Sequence, residues 1–277
     1  MIPFLWMSGF VILGAYLLAI NPKSGRKSDF SGFDRAFYAH RGLFDNESLD
    51  HPENSYRSFE LAIGKDYGIE LDVQVTKDNI PVVFHDATLK RACLVDKRVS
   101  ELTYEELRQY QLFHSNACIP KFSEVMDLIH GQVPVIVEIK MYEDNSRVNE
   151  LAMQVLDSYK GVYCVESFHP KSLRWFRKNR PMVLRGQLSA NFIRGKEPGN
   201  KIRYFTWQNL LWNFLTKPDF VAFNYKEKDM LSVKICRKLY KVIMFAWTIR
   251  SEEGFQEAKD SFDYFIFDSV VPETFTE

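Results

Sequence analysis

Short apolar segments alternate with amphipathic segments along the chain from residue 36 onward. Nine of the apolar segments have the length and the β-branched or aromatic content of buried strands. The predicted strands are Ala36–Ala39, Ile69–Val73, Val82–His85, Val135–Ile139, Val162–Glu166, Val183–Gln187, Phe220–Phe223, Val242–Ala246 and Tyr264–Phe267. Because strands that alternate with helices form βα units, the pattern predicts an α/β fold with a parallel sheet.

The number of strands favours one architecture. If Val82–His85 is the return arm of a hairpin, eight strands remain for a distorted (β/α)8 TIM barrel, which suits a domain of this length. The predicted helices between the strands are Glu53–Lys65, Thr103–Tyr110, Phe122–Ile129, Ser146–Tyr159, Pro170–Asn179, Met230–Leu239 and Glu252–Lys259. A further stretch, Phe205–Leu215, is strongly aromatic and fits either a buried barrel helix or a surface that faces lipid or a long substrate.

The amino-terminal segment differs from the rest of the chain. Ile2–Ile20 contains no charged residue and is long enough, as a helix, to cross a bilayer core. We expect a transmembrane anchor over residues 1–22, a linker over 23–34 and one barrel domain over 35–277. A cleaved signal peptide and a buried soluble helix are alternatives. Basic residues follow the apolar segment, which favours a single-pass protein whose barrel is cytoplasmic.

Composition narrows the range of partners. Lys plus Arg equals Asp plus Glu at 36 each, so no broad basic field indicates binding to nucleic acid. The four cysteines include no C-x-x-C pair, which argues against a zinc knuckle.

Two carboxylates and a histidine lie close together in the sequence. Glu70 and Asp72 project from the same face of one predicted strand, roughly 6.5 to 7 Å apart. If Asp78-Asn79 forms a tight turn, the numbers of facing residues sum to about 157, which places Asp72 opposite His85. Acidic oxygens beside an imidazole predict a divalent-cation and proton-transfer site.

Other polar residues follow neighbouring strands. His40 and Arg41 close the first strand, and Glu138 and Lys140 close a later one. Barrel enzymes carry their sites at this rim. The carboxylates of Glu70, Asp72 and Glu138 suit Mg²⁺ or Ca²⁺ better than zinc. With Arg41 and Lys140 beside it, the cation would hold a phosphate group.

Histidine is the side chain whose pKa suits proton transfer near neutrality. His40 and His85 can therefore divide the two proton transfers that cleavage of a phosphodiester requires. Trp247 ends an apolar strand, where core packing and lining of the pocket are equally compatible with the sequence. The segment Pro52-Glu53-Asn54 fits either the start of a helix or support for the site.

An ordered series of motifs resembles the glycerophosphodiester phosphodiesterase family. The motifs are Ala39-His40-Arg41-Gly42, Pro52-Glu53-Asn54-Ser55, Glu70-x-Asp72-Val73-Gln74-x-Thr76-x-Asp78, Pro81-Val82-Val83-Phe84-His85-Asp86-x-x-Leu89-x-Arg91, Glu138-Ile139-Lys140, Ser167-Phe168 and Trp247-Thr248. The resemblance implies a TIM barrel that hydrolyses glycerophosphodiesters to glycerol 3-phosphate and an alcohol. It also implies a cation on Glu70, Asp72 and Glu138, acid and base roles for His40 and His85, and phosphate contacts from Arg41 and Lys140.

Together with the expected anchor, the resemblance favours glycerophosphodiesters or lysophospholipids as substrates. Two alternatives remain: a sphingomyelinase D-like phospholipase or lyase that forms a cyclic phosphate, and an inactive module that binds lipid headgroups. The sequence departs from the family at Arg250, where the family has Asn, and at Phe267-Asp268, where it has Thr-Asp, so we expect weaker contacts there. The short segment between His85 and Glu138 argues against a large cap over the site.

Overall fold

Nine strands form a single closed sheet in the computed structural model, which describes residues 2–23, 30–142, 145–195 and 199–272. The strands are β1 (Phe37–His40), β2 (Gly68–Val75), β3 (Pro81–Val83), β4 (Val135–Ile139), β5 (Tyr163–Ser167), β6 (Arg185–Ser189), β7 (Phe220–Asn224), β8 (Ile243–Ile249) and β9 (Tyr264–Phe267). β1 pairs with both β2 and β9, which closes the sheet. Eight strands run parallel and β3 alone pairs antiparallel, on β2. The predicted (β/α)8 barrel is confirmed.

One helix precedes β1, and the other helices of the described residues occupy the connections between the strands. They are α1 (Ile2–Ile20), α2 (Tyr56–Gly64), α3 (Lys90–Cys93), α4 (Tyr104–Leu107), α5 (Phe122–Ile129), α6 (Arg147–Leu156), α7 (Pro170–Asn179), α8 (Lys201–Gln208), α9 (Asn213–Thr216), α10 (Leu231–Lys238) and α11 (Glu252–Ala258). Between β3 and β4, α3, α4 and the loops around them pack on a small core of their own, whereas α5 packs on the main core.

Strand alternation separates two apolar layers. Odd-numbered residues of β2 and β4, such as Leu71 and Val137, pack between the sheet and the helices. Even-numbered residues face the barrel interior, where Ile136 packs with Tyr38 and Phe220. The same alternation places Glu70, Asp72 and Glu138 inside the barrel, toward the carboxyl ends of their strands.

The predicted hairpin exists, but its predicted register is wrong by one residue. Val73 pairs with Val83 and Val75 with Pro81, so Asp72 is opposite Phe84 rather than His85. The reason is the length of the turn. Thr76 and Ile80 are hydrogen-bonded across three residues, the last of which, Asn79, is left-handed with φ 68°. His85 follows the end of β3, so the alternation of side chains along the strand does not determine the direction of its side chain.

Most of the predicted helices have different limits in the structure, and for two of them the reason is clear. The helix expected from Glu53 begins at Tyr56, because Ser55 is its N-cap and forms a reciprocal capping box with Ser58. The single helix expected over Phe205–Leu215 is divided into α8 and α9. Leu210, which is buried and has φ 58°, ends the helical path between them.

The amino-terminal prediction of a transmembrane helix is not supported. Within the part of the chain that the structure describes, no helix combines the length and the apolar character needed to cross a membrane. The end of α1 instead packs on the barrel: the Ile20 carbonyl accepts a hydrogen bond from Asn213 Nδ2 at 3.1 Å, and the Leu17 carbonyl accepts one from the Tyr240 hydroxyl at 2.8 Å. Residues 24–29 of the predicted linker lie outside the described residues.

Candidate active site

Three buried carboxylates meet at the carboxyl end of β2 and β4. Asp72 and Glu138 are partners across the two strands, and Glu70 lies one pleat below Asp72. One oxygen from each residue lies within 4.8 Å of the oxygens of the other two. This cluster supplies three hard oxygen ligands in a spacing that could hold a divalent cation.

Glu70 carries the least compensated charge of the cluster. Its Oε2 has no hydrogen-bond partner within the described residues. Burial raises the pKa of Glu70 well above its usual value, and the negative charges of Asp72 and Glu138 raise it further. A buried acidic oxygen without a partner costs free energy unless a cation or proton neutralises it, so the residues present fit a bound metal ion.

Lys140 partly neutralises the other two carboxylates. Its Nζ lies 2.7 Å from Glu138 Oε2 and 2.9 Å from Asp72 Oδ1, with the side chain almost fully buried. Burial alone would raise the pKa of Asp72, but the charges of Lys140, His85 and Arg41 lower it well below its usual value. Asn54 also donates a hydrogen bond to Asp72 Oδ2 at 2.9 Å. Asp72 is thus kept ionised.

The carboxylate of Asp268 holds the imidazole of His40 in place. Its Nδ1 lies 3.0 Å from Asp268 Oδ2, while Nε2 lies 3.8 Å from Glu70 Oε2. Arg250 donates to both oxygens of Asp268, at 2.7 and 3.0 Å. Burial lowers the pKa of His40 to about 4, and the nearby charge of Arg41 adds to this effect. Arg250, where the sequence departs from the family, therefore forms an ordered pair with Asp268 rather than the weaker contact that we expected, and Phe267, the other departure, is buried.

His85 is anchored in a similar way. Its Nδ1 lies 2.6 Å from Asp86 Oδ1, and Arg91 donates to the other oxygen of Asp86 at 2.7 Å. Arg91 also donates to both oxygens of Glu53, at 2.6 and 2.9 Å. Glu53 in turn accepts a hydrogen bond from Arg41 at 2.8 Å. A continuous series of charged contacts therefore links His85 to Arg41.

The turn after β1 places Arg41 beside the cluster. Arg41 has φ 59° and Gly42 has φ 83°, and a Cβ on Gly42 would lie 2.7 Å from the backbone carbon of Ser58. Only glycine allows so close an approach with this backbone. Arg41 Nε lies 3.4 Å from Asp72 Oδ2. The segment Pro52-Glu53-Asn54 thus supports the site, through Glu53 and Asn54, and precedes the helix.

The groups surround one cavity of about 390 Å³ inside the rim. Its lining residues are His40, Arg41, Glu70, His85, Glu138, Glu166, Phe168, Leu188, Asn224, Tyr225, Lys226, Trp247, Thr248, Arg250 and Ile266. Trp247 is half-buried and lines the cavity. Asp72 and Lys140 adjoin it through Glu138. The structure therefore brings together all eight residues that the sequence predicted for the site.

Four further residues were not assigned a role from sequence. Asp86, Arg91 and Asp268 hold the histidines, and Glu166 adds a fourth buried carboxylate to the cavity wall. Glu166 Oε2 has no hydrogen-bond partner in the described ranges, and burial raises its pKa well above the usual value. Asp86 directly follows His85 in the motif, which was an available signal. Nothing in the sequence links Asp268 to His40 before the barrel closes.

The glycerophosphoryl diester phosphodiesterase family matches residues 40–268 of this chain. The chain belongs to this family. A glycerophosphodiester phosphodiesterase from Bacillus altitudinis is 32% identical over 56% of this chain and 67% of its own length. A lysophospholipase D, GDPD1, from Rattus norvegicus is 30% identical over 55% of this chain and 50% of its own. The matched regions of the first three bacterial relatives span 62 to 67% of those proteins.

Solved structures share the fold of this family member. A phosphodiesterase from Oleispira antarctica, in complex with its product sn-glycerol-3-phosphate, has a TM-score of 0.70 at 22% identity, over 87% of this chain and 94% of its own. A glycerophosphodiester phosphodiesterase from Parabacteroides distasonis has a TM-score of 0.66 at 22% identity, over 88% of this chain and 96% of its own.

Proposed function

We propose that this protein is a metal-dependent phosphodiesterase that hydrolyses glycerophosphodiesters or lysophospholipids. The products would be glycerol 3-phosphate, or a lysophosphatidate, and an alcohol. One observation carries the proposal: three buried carboxylates within 4.8 Å of one another lie beside two histidines whose Nδ1 atoms are each held by an aspartate. The names of the relatives support the same reaction.

Glu70, Asp72 and Glu138 are the residues that would hold a divalent cation, Mg²⁺ or Ca²⁺. When bound, the cation supplies positive charge against the phosphate oxygens and the charge that develops on them. Lys140 and Arg41 add fixed positive charge at the same place. Lys140 is held in place by Asp72 and Glu138, and Arg41 is held by Glu53. Neither of these two side chains therefore has to become ordered during the reaction.

The two histidines would move the protons. Hydrolysis adds water across the phosphorus–oxygen bond to the alcohol: the attacking water forms the new bond to phosphorus and loses a proton, and the leaving alcohol oxygen gains one. Asp268 and Asp86 occupy Nδ1 of His40 and His85, which leaves Nε2 of each ring for the substrate. The arrangement fixes ring orientation and tautomer, as catalytic imidazoles require.

Glycerophosphocholine and lysophosphatidylcholine are the substrates that test the proposal. The full chain is assayed with Mg²⁺, Ca²⁺ or Mn²⁺ and with chelator, beside the variants Glu70→Gln and His85→Ala. Glu105→Gln, a change at an exposed acid on α4, is the matched control. We expect turnover that needs a cation, is lost in both site variants and is retained in the control, with all four proteins folded by circular dichroism. Substantial turnover in chelator, or in either site variant, contradicts the proposal.

A further inference from the structure

A second, larger cavity of about 820 Å³ opens beside the catalytic cavity. The two share six lining residues: His85, Glu138, Phe168, Asn224, Lys226 and Trp247. A molecule whose phosphate lies at the carboxylates can therefore extend directly into the second cavity. The catalytic cavity of about 390 Å³ is itself within the size range of small-molecule sites. The second cavity therefore indicates a substrate that carries a long substituent beyond its phosphate group.

Aromatic rings form the wall of this second space, which we call the aromatic groove. Phe168 lies 5.6 Å from Trp247 and 5.8 Å from Phe192, centroid to centroid. Phe192 stacks on Tyr204 at 5.2 Å. Trp207 completes the wall, 6.5 Å from Tyr204. Five rings from β8, from the turn after β5 and from the segment between β6 and β7 thus follow one path away from the catalytic cavity.

Hydrogen bonds and ring contacts hold the wall of the aromatic groove in place. Ser189 donates to the carbonyl of Trp207 at 3.1 Å, and the backbone N–H of Ile193 donates to Gln208 at 3.3 Å. These bonds fasten α8 to the end of β6. His169, the N-cap of α7, packs edge-on to Trp207 at 5.1 Å. The groove therefore keeps its shape without a ligand.

The geometry of the rings indicates the class of ligand. Phe168 meets Trp247 at 86° and Phe192 at 66°, and the guanidinium of Arg203 covers a face of Trp207 at 4.1 Å. The rings thus pack against one another and do not form an open parallel pair that would hold a planar ligand. Arg203, Lys226 and Arg194 line the same space, together with Glu227, which lies 3.5 Å from Arg194. The positive charge that Glu227 does not balance disfavours a cationic headgroup in the groove. A flexible, uncharged hydrocarbon chain suits both features.

The outer side of the wall is also apolar. Ile202 is 77% exposed, Phe205 53% and Ile193 44%. Exposed apolar residues grouped beside a groove are typical of surfaces that meet lipid. A lipid that approaches the rim would contact these side chains before it enters.

We infer that the aromatic groove holds the single acyl chain of a lysophospholipid whose phosphate lies at Glu70, Asp72 and Glu138. The inference rests on the proposed function and narrows its substrate class. Each methylene that enters the groove leaves water, which can improve kcat/KM up to about fourfold per methylene until the groove is full.

The experiment compares substrates that differ only in chain length. Steady-state kcat/KM is measured for glycerophosphocholine and for hexanoyl, octanoyl and decanoyl lysophosphatidylcholine, each below its critical micelle concentration. We expect kcat/KM to rise with chain length in the unmodified protein. If glycerophosphocholine is hydrolysed but chain length has no effect, the inference is overturned and the proposed function stands. If no substrate is hydrolysed with any cation, the proposed function itself fails.

Variants in the groove locate the effect. For Trp207→Ala and Tyr204→Ser we expect the ratio of kcat/KM for the decanoyl substrate to that for glycerophosphocholine to fall at least tenfold. Phe214→Ser removes an aromatic ring that is 46% exposed on α9 and does not line the groove, and we expect it to leave the ratio unchanged. If this ratio is the same in all three variants, the acyl-chain assignment is overturned. It is also overturned if kcat/KM follows the size of the polar headgroup, as measured with glycerophosphoinositol, and not the length of the acyl chain.

Discussion

The imidazole of His40 and the carboxylate of Asp268, 228 residues apart in sequence, are in hydrogen-bond contact at 3.0 Å between Nδ1 and Oδ2. The contact exists because β1 and β9 are neighbours where the barrel closes. Arg250 holds Asp268 from the opposite side through two further bonds. The proposed proton transfer at His40 depends on this support.

Asp268→Asn tests the contact. The amide cannot compensate a charge on the imidazole and can favour the wrong tautomer, so we expect kcat to fall by about 10²-fold or more. Arg250→Gln, which leaves the carboxylate in place, should cause a smaller loss. Steady-state kinetics at saturating cation measure both. A wild-type kcat in Asp268→Asn would show that the contact has no part in the reaction.

The same carboxylate predicts how stability depends on acid. Burial alone would raise the pKa of Asp268, but the hydrogen bonds from His40 and Arg250 lower it far below its usual value. The unfolded chain therefore takes up the proton first as the pH falls. The stabilisation by Asp268 is complete above the unfolded pKa of about 4 and is lost below it.

Urea denaturation of the wild type and Asp268→Asn measures this effect. We expect a constant difference in the free energy of unfolding between about pH 7 and 5, and a smaller difference near pH 3. A difference that does not change across this range would contradict the prediction.

We expect the substitution Glu70→Gln to stabilise the cation-free protein and to weaken the binding of a divalent cation. Without a cation, Glu70→Gln removes repulsion from Asp72 and Glu138, so we expect the melting temperature of the cation-free protein to rise. In the wild type, a divalent cation at a hundred times its Kd adds about 2.7 kcal/mol to stability. This should appear as a rise of several degrees that Glu70→Gln lacks. Differential scanning fluorimetry with and without chelator measures both. An equal cation-induced shift in both proteins would place the cation elsewhere.

Lys140 should be essential for the stability of the cation-free protein. Lys140→Met leaves the buried carboxylates of Asp72 and Glu138 uncompensated, which typically costs about 3–5 kcal/mol. Lys121→Met removes an exposed ion pair with Glu124 at 3.2 Å and serves as control, with an expected cost within about 1 kcal/mol. Chemical denaturation in chelator compares the two. Similar losses in both variants would argue against an electrostatic role for Lys140.

Much of the fold could be predicted because the strand segments are bounded by clear turn signals. Val135–Ile139 and Tyr264–Phe267 were predicted with their observed limits. The register of the hairpin could not be predicted, because it depends on a three-residue turn that ends in a left-handed Asn79. The sequence alone did not distinguish this turn from a two-residue turn. The division of Phe205–Leu215 depends on tertiary packing of Leu210, which overrides local helix preference.

The candidate site divides in the same way. Glu70, Asp72 and Glu138 were predictable because alternation along parallel strands brings them to one rim. The support for the histidines was harder to predict. Asp268 contacts His40 only after the last strand pairs with the first, a relationship that has no local signature. Glu166 aligns with Glu138 across β4 and β5, and its register was not predictable from either strand alone.

Phosphorus NMR of glycerophosphocholine incubated with the protein and Mg²⁺ or Ca²⁺ tests the central claim most directly. We predict that the diester resonance is replaced by that of glycerol 3-phosphate, and that chelator or the Glu70→Gln substitution stops the conversion. An unchanged diester resonance under every cation condition, or a cyclic phosphate that accumulates as the final product, would contradict a cation-dependent hydrolase built on these carboxylates and histidines.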